Sequence, residues 1–250
     1  MMMVCIRTLR ISIGRAVHQT LMLVGVDTAR ASNNGRASSI RSVMRESRML
    51  LNGFEASQLF EVAKAVCSKL DGDLAEVGVY RGGSAKLLGM AKRPGQALYL
   101  FDTFEGLPEP ENRDDKIFCH KQFSASLEGV ASYLSTIPNV HIYKGLFPQT
   151  AEPISSKRFC FVHIDVDLYR SVIACLECFY PRVVGGGVIL CHDYDCDGPH
   201  RAVDEFFSDK VETVFPLPAG QYCIIVKALT DKARIDDRVC VESIGQKADA

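Results

Sequence analysis

DLAEVGVYRGGS at Asp73–Ser84 and ALYLFDTFEGLP at Ala97–Pro108 decide the fold of this chain. The first stretch reads as a strand, Leu74–Val79, that runs into a glycine turn and then a helix from Ser84 to Ala91. The second reads as a strand over Ala97–Phe101 that ends at an acid, Asp102. A strand, a glycine turn, a helix and an acid at the next strand tip make a nucleoside-binding half-site. Glycine lets backbone approach a ligand closely. The helix N-terminus offers free N–H groups, and the acid accepts from ribose hydroxyls.

The turn itself narrows the ligand. A dinucleotide site asks for G-x-G-x-x-G, because a pyrophosphate needs close backbone at three places. Here Val79 stands where the second glycine belongs, and the pattern from Glu76 to Ser84 is E-x-G-x-x-x-G-G-S. S-adenosylmethionine has no phosphate, so an acid beside the turn can face its cationic amino group. The predicted methionine-side contacts are Glu76, Gly78, Tyr80, Gly82, Gly83 and Ser84. Asp102 is expected on the ribose, with Thr103 and Phe104 beside it. A strand–turn–helix with no ligand is the structural alternative.

Outward from this unit, helix and strand signals alternate. Phe54–Leu70 has apolar residues at helical spacing. Further helices are expected over Ser124–Leu134, Ser171–Tyr180 and Arg201–Phe207. Val140–Tyr143, Phe159–Ile164 and Val188–Cys191 read as strands, the last opening after Gly185–Gly187. Phe159–Ile164 (FCFVHI) is a continuous apolar run, the mark of a strand buried on both faces. Val211–Phe215 and Tyr222–Val226 read as an antiparallel hairpin. The prediction is an α/β fold with a seven-stranded, mostly parallel sheet, helices on both faces and a C-terminal antiparallel hairpin.

The chain has 250 residues, 47% hydrophobic and 24% charged, with a net charge of −1. That suits one α/β domain with appendages, and gives no global field to draw in nucleic acid or membrane. Ten cysteines scattered through core-type positions argue for reduced thiols, hence a cytoplasmic setting. Cys175 and Cys178 form a lone C-x-x-C inside a predicted helix, a poor zinc site. No segment is long enough to span a membrane.

The first fifty residues are Arg-rich, with Asp27 and Glu46 their only acids. Val4–Val26 alternates arginine with apolar residues. It reads as a helix covering the active site or packing on a second subunit; a membrane-surface helix and a transit peptide are the other readings. Ala31–Ser39 reads as a flexible linker. The expected organisation is an N-terminal segment with linker over 1–38, a catalytic domain over 39–228 and a polar tail over 229–250.

Two acidic clusters follow buried strands: Asp165-Val166-Asp167 and His192-Asp193-Tyr194-Asp195. In an open parallel sheet these strand ends face the ligand crevice. In extended chain, Asp165 and Asp167 point to one side. Carboxylates crowded so closely repel unless a cation or shared proton intervenes. Oxygen ligands with one imidazole suit Mg²⁺ or Mn²⁺. The alternative is that these are solvated strand-end acids, with Asp167 capping the next helix.

GVYRGGS, FDTFEGLPEP, HIDVDLYRS and GGGVILCHDY, in this order, resemble the macrocin O-methyltransferase (TylF-type) family across about Ser39–Lys227. The resemblance implies a class I S-adenosylmethionine fold, a divalent metal, an acidic base and a hydroxyl acceptor on a small glycoside or glycan. By motif, Asp165 matches a metal ligand and Asp167 the base, and His192 and Asp193 match the second metal-binding pair. The family commonly has two aspartates at that pair, whereas this chain has His-Asp. Asp165 is expected nearer the buried strand and Asp167 nearer the open cleft. The loop Pro108–Phe123 is a candidate acceptor lid. Two rival readings are a metal-independent or nitrogen-directed methyltransferase on this fold, and a non-catalytic binding protein. A homodimer is compatible with the N-terminal segment.

Overall fold

The computed structural model describes residues 34–218 and 221–229. Helices α1 (Asn34–Ser47) and α2 (Gly53–Cys67) lead into β1 (Asp73–Val77), α3 (Gly83–Ala91), β2 (Leu98–Asp102), α4 (Leu127–Leu134) and β3 (Val140–Lys144). Then come β4 (Phe159–Ile164), α5 (Tyr169–Phe179), β5 (Val183–Cys191), α6 (Asp197–Phe207), β6 (Val214–Pro216) and β7 (Cys223–Val226).

The strands form one seven-stranded sheet ordered β3-β2-β1-β4-β5-β7-β6. β1 to β5 pair in parallel, and β7 runs antiparallel to both β5 and β6. This is the expected sheet with its terminal hairpin. Chain direction across the sheet reverses between β1 and β4, which opens a crevice beyond their carboxyl ends. The register pairs Val77 with Ile164 and Ile164 with Cys191, so β1, β4 and β5 end level. Their following residues therefore meet at one place.

The FCFVHI strand is buried at every position, as its unbroken apolar run requires. One apolar layer packs α1, α2 and α3 on the sheet through Ile40, Leu59, Leu87 and Phe161. The other packs α5 and α6 through Phe159, Val172, Leu176 and Val203.

Two sequence expectations are corrected. Gly185–Gly187 do not precede the fifth strand but lie inside it. A Cβ at Gly187 would stand 3.0 Å from the Cys160 carbonyl oxygen, where the β4–β5 register slips, so backbone crowding accounts for a glycine mid-strand. The second half of the expected linker, from Asn34, belongs to α1. Ile40, Val43 and Met44 fall at helical spacing and are buried, and the helix they drive extends back through the polar residues. The Arg-rich stretch Val4–Val26 and the tail from residue 230 lie outside the described residues. Among the described residues, no helix is long and apolar enough to cross a membrane.

Candidate active site

The β1 turn leaves the sheet at Gly78, whose φ is 91°. A Cβ there would collide with the carbonyl oxygen of Asp165 at the end of β4. Only glycine lets the two strand ends pass this closely. Asp102, at the tip of β2, closes the turn from the other side. Its Oδ2 accepts from the Val79 N–H at 2.7 Å and the Tyr80 N–H at 2.8 Å, and its Oδ1 from the Phe104 N–H at 2.6 Å. Burial pushes the Asp102 pKa up, against the pull of these three donors. Tyr80 and Phe104 are held with left-handed backbone, at φ 49° and 56°.

A cavity of about 1290 Å³ opens beyond these strand ends, lined by Gly78, Tyr80, Gly83, Ser84, Asp102 and Thr103. Three predicted cofactor contacts stand elsewhere. Glu76 has no exposed surface, and its Oε1 lies 2.8 Å from His163 Nδ1 on the adjacent strand. The β1–β4 register pairs these two residues, so Oε1 is taken by a buried imidazole, while the buried Oε2 makes no hydrogen bond. Gly82 faces Val130 and Tyr133 rather than the cavity, and supplies the left-handed cap of α3. Phe104 is a core residue.

Across the cavity lie the acids. Asp165, His192 and Asp193 each offer an atom within 4.8 Å of the others. His192 Nδ1 is 3.1 Å from Asp165 Oδ1 and 3.3 Å from Asp193 Oδ2. Its side chain is only 8% exposed, yet neither ring nitrogen has an aligned hydrogen-bond partner. Burial works against charge on His192, but Asp193 and Asp165 outweigh it and push its pKa well up. A buried donor atom aimed between two carboxylates fits a small cation. Among the described residues, Cys175 and Cys178 belong to no such cluster.

Asp167 also lines the cavity but stands outside that trio. The chain does not stay extended through it. Asp167 and Asp193 both take left-handed backbone, at φ 60° and 54°. That turn reverses the expected depths: Asp167 is buried, whereas Asp165 is half-buried. Burial, then the negative charges of Asp193 and Asp165, push its pKa well up. It does not cap α5, whose N-cap is Leu168 with no side-chain bond. The Tyr169 N–H instead donates to Asp114 Oδ1 at 2.7 Å, from the loop Pro108–Phe123. Asp115 Oδ2 likewise accepts from the Gly198 N–H at 3.0 Å, at the start of α6.

Sequence reasoning missed several groups here. Glu55 and Gln221 line the cavity, and Glu55 Oε2 is 3.9 Å from His192 Nε2. Tyr222 sets its ring edge-on to His192, with centroids 4.8 Å apart, and places its hydroxyl 3.2 Å from His163 Nε2. Only Glu55 carried a signal: Asn52 and Glu55 form a capping box, which marks a helix start but not a site.

Residues 47–215 match the model of the macrocin-O-methyltransferase (TylF) family. An 8-demethyl-8-(2,3-dimethoxy-alpha-L-rhamnosyl)-tetracenomycin-C 4'-O-methyltransferase from Streptomyces olivaceus is 29% identical over 160 residues, 58% of this chain and 61% of that protein. Demethyldecarbamoylnovobiocin O-methyltransferase from Streptomyces niveus is 29% identical over 161 residues, 58% of this chain and 62% of that protein. The chain thus spans less than two thirds of the length of these relatives. Among solved structures, the O-methyltransferase NovP superposes with a TM-score of 0.64 at 22% identity, over 72% of this chain and 82% of that one. The calicheamicin methyltransferase CalS11 gives 0.61 at 15% identity, over 80% and 95%. These likenesses identify the fold as that of class I methyltransferases.

Proposed function

Because this chain belongs to the macrocin-O-methyltransferase family, we propose that it moves the methyl group of S-adenosylmethionine onto a hydroxyl of a small glycoside or glycan, with Mg²⁺ or Mn²⁺ at the acidic trio. One observation carries this reading: the glycine turn, the tip of β2 and the acids after β4 and β5 line a single cavity. At about 1290 Å³ it exceeds the roughly 300–1,000 Å³ usual for one small ligand, which leaves room for cofactor and acceptor together. The acceptor class follows the relatives, one of which is named for a rhamnosyl-bearing compound and another as a mycinamicin 3''-O-methyltransferase.

S-adenosylmethionine supplies an electrophilic methyl carbon, and a bound cation supplies charge that acidifies a nearby hydroxyl. The chain supplies the rest. Gly78 and Gly83 admit close backbone, and Ser84 sits in the first turn of α3, where free N–H groups favour a carboxylate. A carboxylate has about four acceptor sites, so Asp102 keeps capacity for ribose after its three backbone bonds. Asp165, His192 and Asp193 would hold the cation. Asp167, beside them but outside the trio, takes the acceptor's proton. The apolar rim formed by Leu50, Phe54 and Leu146 receives the rest of the acceptor.

The test is turnover of S-adenosylmethionine with a rhamnoside acceptor, before and after chelation. Activity should vanish with EDTA and return with Mg²⁺ or Mn²⁺. One observation favours a second, metal-independent reading. A protonated His192, 3.1 Å from Asp165 and 3.3 Å from Asp193, supplies positive charge of its own. Full activity after exhaustive chelation would establish that reading instead.

A further inference from the structure

His192 is the ligand that departs from the two-aspartate pattern of the resemblance, and its surroundings are built for an imidazole. Nδ1 faces Asp165 and Asp193, and Nε2 is turned toward Glu55 Oε2, 3.9 Å away and with no hydrogen bond between them. Glu55 is only 3% exposed, and its carboxylate is pinned. The Asn52 N–H donates to its Oε2 at 2.8 Å, the Asn52 side-chain amide donates to its Oε1, and the side-chain amide group of Gln221 lies against the same carboxylate. Tyr222 fixes the ring plane from the side.

A neutral imidazole has one lone pair and one N–H, on opposite nitrogens. Which nitrogen serves as the ligand is set by what the other faces, and a carboxylate behind a metal-binding histidine fixes that choice. We propose that Glu55 is the positioning residue of this centre. Its negative charge, 3.9 Å from His192 Nε2, favours the proton on that nitrogen, so that Nδ1 joins Asp165 and Asp193 as a nitrogen ligand. The centre then prefers Mn²⁺ over Mg²⁺, since Mg²⁺ demands oxygen ligands while imidazole suits transition metals. This rests on the reading that the trio holds a divalent cation.

The full chain is loaded with Mn²⁺ and its pulsed EPR spectrum recorded, and Mn²⁺ and Mg²⁺ affinities are measured by calorimetry. A ¹⁴N coupling from a directly bound imidazole is expected, replaced by the ¹⁵N pattern on histidine labelling and lost in His192→Asp. His192→Asp should also shift preference toward Mg²⁺. Glu55→Ala should weaken Mn²⁺ binding by about 10–100-fold. Glu55→Gln keeps an acceptor oxygen and a residue compatible with the helix cap, and should recover binding to within about threefold. Adenosylhomocysteine affinity, which reports on the fold and the β1 turn, should stay level in all variants. Bound Mn²⁺ without nitrogen coupling overturns the proposal while leaving the metal centre intact. Wild-type Mn²⁺ affinity in Glu55→Ala overturns the role of Glu55 alone. Failure of the unsubstituted chain to bind either ion overturns the metal centre itself. The nitrogen coupling of the unsubstituted chain decides the matter whatever the substitutions do to folding.

Discussion

At the scale of single residues, the site depends on contacts that tolerate no extra atom. Gly78 is the sharpest case, because it serves two motifs at once. Its φ of 91° shapes the β1 turn, and its missing side chain admits the carbonyl of Asp165. Gly78→Ala should destabilise the fold by about 2–4 kcal/mol, from left-handed strain and overpacking together. It should also lower cofactor and metal affinity in parallel, as urea titration and calorimetry would read. Asp167 offers a second test. If it takes the acceptor's proton, Asp167→Asn should lower kcat by roughly 10²–10⁴ and leave adenosylhomocysteine binding unchanged. A kcat near the wild-type value would place the proton elsewhere.

At the scale of elements, α5 and α6 begin without caps of their own. Leu168 and Cys196 occupy their N-cap positions and make no side-chain cap bond. Asp114 and Asp115, from the loop after β2, do that work across space. The loop is also closed at its base, where the Leu107 N–H donates to the Gln122 carbonyl at 2.8 Å and the Lys121 N–H to the Leu107 carbonyl at 2.9 Å. The segment first read as a lid is thus fastened to the two helices that follow the acidic strand ends. Asp114→Ala should cost about 0.5–2 kcal/mol in a denaturation curve, the range for losing a helix cap. Joint replacement of Asp114 and Asp115 should speed hydrogen exchange within 108–123. Unchanged exchange would show that the loop base alone holds it.

At the scale of the whole molecule, α1 belongs to the body of the protein. Ile40, Val43 and Met44 are buried in the layer that also holds α2 and α3. Residues just after α1 line the cavity, and Ser47 and Met49 press on Gly83 at the start of α3. Deleting residues 1–31 should therefore leave a folded domain that binds cofactor. Deleting 1–47 should remove buried core and weaken both folding and cofactor affinity. Circular dichroism melting and adenosylhomocysteine titration on the two truncations would separate these outcomes. Equal stability of both would show that α1 is an appendage.

The sequence by itself determined whatever is written in local pattern. The FCFVHI run, the glycine turn after β1 and the acids at strand tips needed only neighbours in the chain to be legible. From them the sheet, its hairpin and two acidic clusters at neighbouring strand ends could be anticipated, and the family resemblance singled out Asp165, His192 and Asp193 within those clusters. The tertiary structure alone decided which way Glu76 turned, because His163 reaches it from a strand that enters the sheet much later. It alone decided that Asp167 lies deeper than Asp165, since a left-handed residue breaks the alternation an extended chain would keep. It alone brought Glu55, from the first turn of α2, behind the imidazole of His192. Periodicity reports which face of an element is buried. It carries no information on which distant side chain meets that face, and the chemistry of this site is set by those meetings.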